Sequence, residues 1–360
     1  MTGVSRRGGD YRRLVELSES LLSGFEDAGY ERIDPPMLHD AAHVGLGGQT
    51  LLDLTYLMGN GLALRSDFTV PVYLLHAERG RDAGTPRYCY SGPVFRRAGP
   101  GDDRPTEYLQ TGIEYFGSLR REAADVRIFA NILGAVRKAG LRNMDIATGD
   151  VSLFHALLQS LDLSDRVRAR LRGLFWRPER LKEQITRMTQ PIESAEGFAG
   201  TDVDTLARTL RETRVVQGKR SARDVAAQLI ARQSDTIPAE TAQILQNYLS
   251  IRTTIGDAAD RVRATLGDRV SSALEAFEDR AQQMRHRLGP EVLGTPFHAD
   301  FGRRHEYYDG FVFEMTVGGE TVAAGGRYDR LAHQVGAADW PAIGGMIRPQ
   351  VLLRALEGDA

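Results

Sequence analysis

The sequence predicts an α+β protein, an antiparallel sheet flanked by helices, contributed by both ends of the chain and interrupted by a helical domain. Three observations carry this prediction. Short alternating apolar segments bounded by Gly and Pro crowd residues 30–117; residues 152–290 read almost wholly as helix, rich in Arg, Glu, Gln and Ala; and strand signals return in 294–302, 307–319 and 320–331. The expected divisions are 1–151 for the first part of the core, 152–290 for the helical insertion and 291–360 for the second part of the core.

Each element follows from a local pattern. Leu14, Leu17, Leu21, Leu22 and Phe25 recur at helical spacing, with Gly29 placed to stop the helix. "YERIDPP" alternates briefly before Pro35 and Pro36 end it, while "GLALRSDFTVPVYLL" and "RYCYSGPVFRR" supply extended or mixed segments. "REAADVRIFANILGAVRKAG" is amphipathic and closes on Gly140, and "NMDIATGD" is a short strand running into a turn. Cys89, the single cysteine, sits in an apolar-aromatic stretch where a small buried hydrophobe is expected.

Composition excludes several classes. The chain is 42% hydrophobic and 26% charged, as globular domains are, and no apolar run approaches a membrane span. The start, "MTGVSRRGGDYRR", lacks the apolar run of a signal peptide, so a cytoplasmic location is expected. A net charge of −2 gives no overall attraction to nucleic acid. Only Lys138, Lys182 and Lys219 are lysines, and no Gly-rich loop ends in Lys-Ser or Lys-Thr. His39 and His43 stand four apart without a third ligand, which reads as surface or helix-start chemistry, so no metal and no cofactor are expected. Six arginines between Arg166 and Arg180 surround Phe175 and Trp176; interleaved Leu and Glu make this a solvated helix face before a partner surface.

The chemistry-bearing segment is "EYLQTGIEYFG". As a strand it puts Tyr108, Gln110, Gly112, Glu114 and Phe116 on one face and Leu109, Thr111, Ile113 and Tyr115 on the other. Gln110 and Glu114 then stand roughly 13 Å apart, with Gly112 between them leaving a floor for a small cationic or donor-rich molecule. A wet outer sheet face explains the same polarity. In "HEYYDGFVFE", read as strand, only one of Tyr307 and Tyr308 can enter a given pocket. In "AAGGRYDRL", Gly325 and Gly326 permit close backbone approach, and Arg327 and Asp329 can pair.

The ordered segments "GYERIDPPML", "LALRSDFTVPV", "GPVFRR…EYLQTGIEYFG", "RRHEYYDGFVFE", "AAGGRYDRL" and "AIGGMIRP" resemble the catalytic core of histidyl-tRNA synthetases, a class II aminoacyl-tRNA synthetase fold. The resemblance spans about residues 10–150 and 295–355. It implies that Asp67 and Thr69 meet the ammonium group of histidine, that Gln110 meets its ammonium or carboxylate end, and that Glu114 with Tyr308 grips the imidazole. Tyr307 and the activating arginine, Arg303, complete the implied histidine-binding set.

The same resemblance implies an eroded ATP site. Arg96-Arg97-Ala98 replaces an Arg-x-Glu pattern, Thr106 stands where a second arginine follows Arg104, and Ile347 replaces an acidic residue before Arg348. Arg96, Arg104 and Arg348 are thus expected as a vestigial ATP site with no catalytic residues. The sequence stops where an anticodon-reading domain would follow, and the pattern is more similar to the regulatory subunits of ATP phosphoribosyltransferase, catalytically silent relatives of the synthetases. That family implies a role in the first step of histidine biosynthesis, feedback sensing of histidine, and a short-form catalytic subunit as partner. It further implies a dimer of this chain within a hetero-octamer, with no membrane and no tRNA. A histidyl-tRNA synthetase, or a truncated ATP-dependent ligase, is the competing expectation.

Overall fold

The computed structural model describes residues 7–44, 48–79, 86–98, 105–190, 202–212, 221–233, 236–302, 307–331 and 340–358. In chain order the first group of elements is α1 (Gly9–Asp27), β1 (Glu31–Arg32), β2 (Leu38–Asp40), α2 (Ala41–Val44), α3 (Gln49–Asp53), β3 (Leu62–Leu64), α4 (Thr69–Arg79), β4 (Arg87–Phe95), β5 (Glu107–Phe116), α5 (Arg121–Lys138) and β6 (Asp145–Asp150). A helical run follows: α6 (Val151–Ser160), α7 (Asp165–Leu174), α8 (Pro178–Met188), α9 (Val203–Glu212), α10 (Ala222–Gln233) and α11 (Ala239–Leu249). The chain then returns through β7 (Arg252–Thr254), α12 (Ile255–Leu266), α13 (Ser271–Leu288), β8 (Pro296–His298), β9 (Phe311–Val317), β10 (Glu320–Arg327), β11 (Ala342–Ile347) and α14 (Pro349–Glu357).

Nine strands form one sheet in the order β1-β4-β5-β11-β10-β9-β6-β8-β7. The pairs β1–β4 and β6–β8 are parallel and the rest antiparallel, so the predicted antiparallel character holds through the centre. β11, β10 and β9 lie between β5 and β6, which makes the core a composite of early and late segments as expected. The period of two on β5 decides which layer each residue joins. Ile113 packs with Ile128, Phe129 and Ile132 of α5, whereas Phe116 faces Phe68, Tyr73, Tyr88, Tyr90 and Tyr328 on the opposite, aromatic side. Cys89 is fully buried, and that burial pushes its thiol up to about 12.

The stretch expected to be a helical insertion, 152–290, contains more of the core than its composition suggested. Its three-residue strand β7 pairs with β8 as the edge of the main sheet, and α13 packs along α5. Arg280 of α13 ties the two regions together from inside. Its guanidinium donates to Asp125 of α5 at 3.4 Å and to Asp150, which also accepts the Ser152 N–H at the start of α6. Arg327 completes the network, donating to Asp125 at 2.6 Å and to Asp329 at 2.8 Å as the sequence anticipated for the second pair. Such a network is costly to break, because each partner is left charged in a dry interior.

Candidate ligand-binding site

The aromatic side of the sheet holds a cluster of buried polar groups centred on Glu114. β4, β5 and β11 place Tyr88, Glu114 and Gly344 in one row across the sheet and Tyr90, Gly112 and Met346 in the next row on that face. The two glycines explain how a carboxylate and a phenol fit there. A Cβ at Gly344 would lie 1.6 Å from Glu114 Oε2, and one at Gly112 would lie 2.5 Å from the Tyr90 hydroxyl. Glu114 therefore lies against bare backbone of β11, and the floor expected to stand open at Gly112 is covered by Tyr90.

Two phenols hold the Glu114 carboxyl. Tyr90 donates to Oε1 at 3.2 Å and Tyr328 to Oε2 at 2.5 Å, while Gln110 Nε2 donates to the Tyr90 hydroxyl at 3.4 Å. Tyr90 is itself fixed, stacked on Phe68 at 4.1 Å, whose other contact is the Arg65 guanidinium at 4.0 Å. Arg65 in turn donates to the Pro35 and Pro93 carbonyls. Burial pushes Glu114 up to about 8; the Tyr328, Tyr90 and Thr69 hydroxyls pull it back, and the neighbouring Asp67 raises it again. Asp67 is also pushed up by burial, opposed by Arg96, by the Val70 and Thr69 N–H groups at the start of α4, and by the Tyr307 hydroxyl.

Five expected site residues, Asp67, Thr69, Gln110, Glu114 and Tyr307, are thus brought together. All five are buried, so this face of β5 is covered and is not a wet sheet surface. The tyrosine pair departs from expectation in backbone. Tyr307 and Tyr308 precede β9 in a turn, so strand alternation does not govern them; Tyr307 reaches Asp67 Oδ2 at 3.5 Å, and the Tyr308 ring lies where a Cβ on Gly326 would be, 2.8 Å from its Cδ1. The Glu114 carboxyl is held on its Oε2 side by Tyr328, a residue outside the expected set. Tyr90 and Tyr328 are the members that sequence reasoning missed. The first is set opposite Gly112 by the β4–β5 register, which no local pattern reports, and the second is the aromatic residue following Gly-Gly-Arg.

Arg96 and Arg348 also converge. Their guanidinium carbons lie 5.6 and 5.0 Å from the ring of Tyr108, whose buried hydroxyl has no hydrogen-bond partner among the described residues. Arg96 Nε donates to the Ser66 carbonyl at 2.8 Å, which sets this cation beside Asp67. Ile347, at the position expected to be acidic, is buried in the apolar core. Arg104, Arg303 and residues 99–104 lie outside the described residues. Among the described residues no three His, Cys, Asp or Glu side chains are grouped to hold a metal; Asp40 instead accepts the Ala42 N–H at 2.8 Å to start α2.

A cluster of two buried carboxyls, several hydroxyls and one adjoining guanidinium, on a mostly antiparallel sheet, is the setting in which the chain's relatives are to be read. The sequence profile described as histidyl-tRNA synthetase matches residues 8–196 and 197–352, and the chain belongs to that family. Solved structures share its fold. A Bacillus halodurans protein described as an ATP phosphoribosyltransferase regulatory subunit/histidyl-tRNA synthetase superposes with a TM-score of 0.71 at 22% identity, covering 99% of this chain and 82% of the other. The histidyl-tRNA synthetase of Nostoc gives 0.64 at 16% identity, covering 99% and 76%. Within the family the particular group is set by sequence: the chain is 30% identical to the ATP phosphoribosyltransferase regulatory subunit of Allorhizobium ampelinum, over 92% of this chain and 95% of that protein. The corresponding protein of Brucella anthropi is 30% identical over 87% and 90%. The chain is a member of the ATP phosphoribosyltransferase regulatory subunit family.

Proposed function

We propose that this chain is a non-catalytic regulatory subunit of ATP phosphoribosyltransferase, acting in the cytoplasm at the first step of histidine biosynthesis, and that its aromatic-side pocket senses histidine. The likeness to curated regulatory subunits over 95% of their length carries the first part. The second rests on Glu114, a buried carboxyl held by two phenols at the centre of a pocket that could accept both an imidazole N–H and, at Asp67, an ammonium group. Gln110 and Thr69 orient the amino-acid end, and Arg303 adds to the set. A sensor needs this recognition without transition-state stabilisation, and histidine inhibits by binding one state of the complex better than another.

The partner is a short-form catalytic subunit, and the chain self-associates as a dimer within a hetero-octamer. An exposed apolar face at the β2–β3 pair, with Met37, Leu38, Leu57 and Met58 between 45% and 53% exposed, supports an interface between copies. The purified chain is assayed for histidine-dependent ATP–pyrophosphate exchange, then mixed with a short ATP phosphoribosyltransferase. No exchange, co-purification with the transferase, and histidine inhibition that disappears with Glu114→Gln are expected. Robust exchange by the chain alone overturns the regulatory reading in favour of a synthetase.

A further inference from the structure

Two segments bring phenols to the buried carboxyls, and one side chain joins them. Tyr307 and Tyr308 precede β9, with the Tyr307 hydroxyl at Asp67, while Tyr328 follows β10 and holds Glu114. Asp309, next after Tyr308, spans the gap between these segments. Its backbone N–H donates to the Arg327 carbonyl at 3.0 Å, its Oδ1 accepts the Asp329 N–H at 3.1 Å, and its Oδ2 accepts the Arg330 N–H at 2.7 Å. These bonds fall on both sides of Tyr328 in the chain.

The two segments meet closely. A Cβ on Gly310 would lie 2.9 Å from Arg327 Cδ, and one on Gly326 would lie 2.8 Å from Tyr308 Cδ1, so bare backbone at both glycines lets the segments touch. The Tyr307 ring stands 4.7 Å from that of Tyr308 and 5.9 Å from that of Tyr328. Asp329 extends the bracket, because its Oδ1 accepts from Arg327 at 2.8 Å and from the Ala342 N–H at 2.8 Å, where β11 begins. Burial and the neighbouring Asp329 push the Asp309 carboxyl up to about 7, against the pull of the two N–H groups and Arg327. A neutral side chain with one acceptor could close either bond of the pair, whereas a carboxylate accepts both N–H groups at once.

We propose that Asp309 is the positioning residue that sets Tyr307 against Asp67 and Tyr328 against Glu114 as one unit. It acts through the two phenols and not on the ligand, and it makes the two grips cooperative. Its bearing on histidine deepens the sensing reading and rests on it: a molecule with an imidazole at one end and an ammonium group at the other is held only when both phenols are in place.

Asp309→Asn tests this in the full chain, because the amide keeps the shape but turns an N–H toward one of the two backbone N–H groups. In the ligand-free protein with carbon-13-labelled tyrosine, the ring signals of Tyr307 and Tyr328, assigned with Tyr307→Phe and Tyr328→Phe, are both expected to shift in the variant. Calorimetric titration with histidine should show affinity at least tenfold weaker. In the parent, Tyr307→Phe and Tyr328→Phe should each weaken binding about tenfold; in the Asp309→Asn background each should cost less than threefold, since the phenols are already displaced. A residue that only stabilised the turn would lower the thermal midpoint and leave those tenfold effects in place. Should Asp309→Asn not fold, Asp309→Ser, with one acceptor in place of two, gives the same reading. Unmoved ring signals, a shift of one tyrosine alone, or full tenfold effects in the Asp309→Asn background would each overturn the proposal. A parent that binds no histidine defeats the sensing reading alone, and the ligand-free ring signals then decide the role of Asp309.

Discussion

Replacing Glu114 with Gln should change how stability responds to pH. Glu114 is fully buried between Tyr90 and Tyr328 and is pushed from 4.5 up to about 8 in the folded chain. Between these two values the folded state holds its proton more tightly than the unfolded state, so raising the pH removes stability, by about 1.4 kcal/mol per pH unit. Over the whole window the loss is on the order of 5 kcal/mol. Glutamine keeps the shape, donating to one phenol and accepting from the other, but cannot ionise. Urea unfolding of both proteins from pH 5 to pH 8.5 gives the stability difference directly, and other titrating groups cancel from it. The parent should lose ground steadily against the variant as pH rises, then level off above about pH 8. A difference that stays flat across that range would show that Glu114 does not carry a buried proton, and the account of its environment would fail.

Four further outcomes follow from the same geometry. Gly344→Ala displaces the Glu114 carboxyl by steric overlap and leaves buried hydroxyls unpaired, so it should lower stability by about 2–4 kcal/mol in urea melts and abolish histidine binding in calorimetry. Tyr328→Phe removes one of the two phenol bonds to Glu114 and should weaken histidine affinity about tenfold with little change in fold by circular dichroism. His76, stacked on Phe116 at 4.6 Å and against Trp340 at 4.3 Å, is held near 4 by burial and by Arg79. The unfolded chain takes up the proton first, so the parent should lose about 3 kcal/mol relative to His76→Phe as pH falls from 6.5 to about 4, read by denaturant midpoints. Asp125→Asn should cost about 3–5 kcal/mol, because Arg280 and Arg327 lose a shared buried carboxylate; unfolding within 1 kcal/mol of the parent would contradict that role.

Much of this was legible in the chain because period-two patterns report directly on sheet faces. The partition of β5, with Gln110 and Glu114 on one side and Ile113 on the other, followed from alternation alone. The partners of Glu114 did not, because Tyr90 and Tyr328 lie 24 and 214 residues away and register across strands is not local information. The tyrosine pair misled for a related reason. Tyr307-Tyr308 has strand-like composition, yet the backbone turns there before β9 begins. Composition also hid β7, three residues of Arg and Thr that join the sheet by edge pairing and not by an apolar pattern. Gly112 and Gly344 show the converse difficulty, since a glycine's use is defined by whatever side chain occupies the space it vacates.

The position of β11 between β5 and β10 has a consequence for biosynthesis. Until residues 342–347 leave the ribosome, β5 and β10 each present an unpaired edge and Glu114 has no β11 backbone to rest against. The nascent chain therefore carries the open edge of β5 through most of its synthesis, joined near the end by that of β10, the kind of surface that recruits chaperones or neighbouring strands. Insertion of one late strand closes both edges and completes the setting of Glu114 in a single event, so a chain that has not finished folding lacks the buried polar cluster altogether.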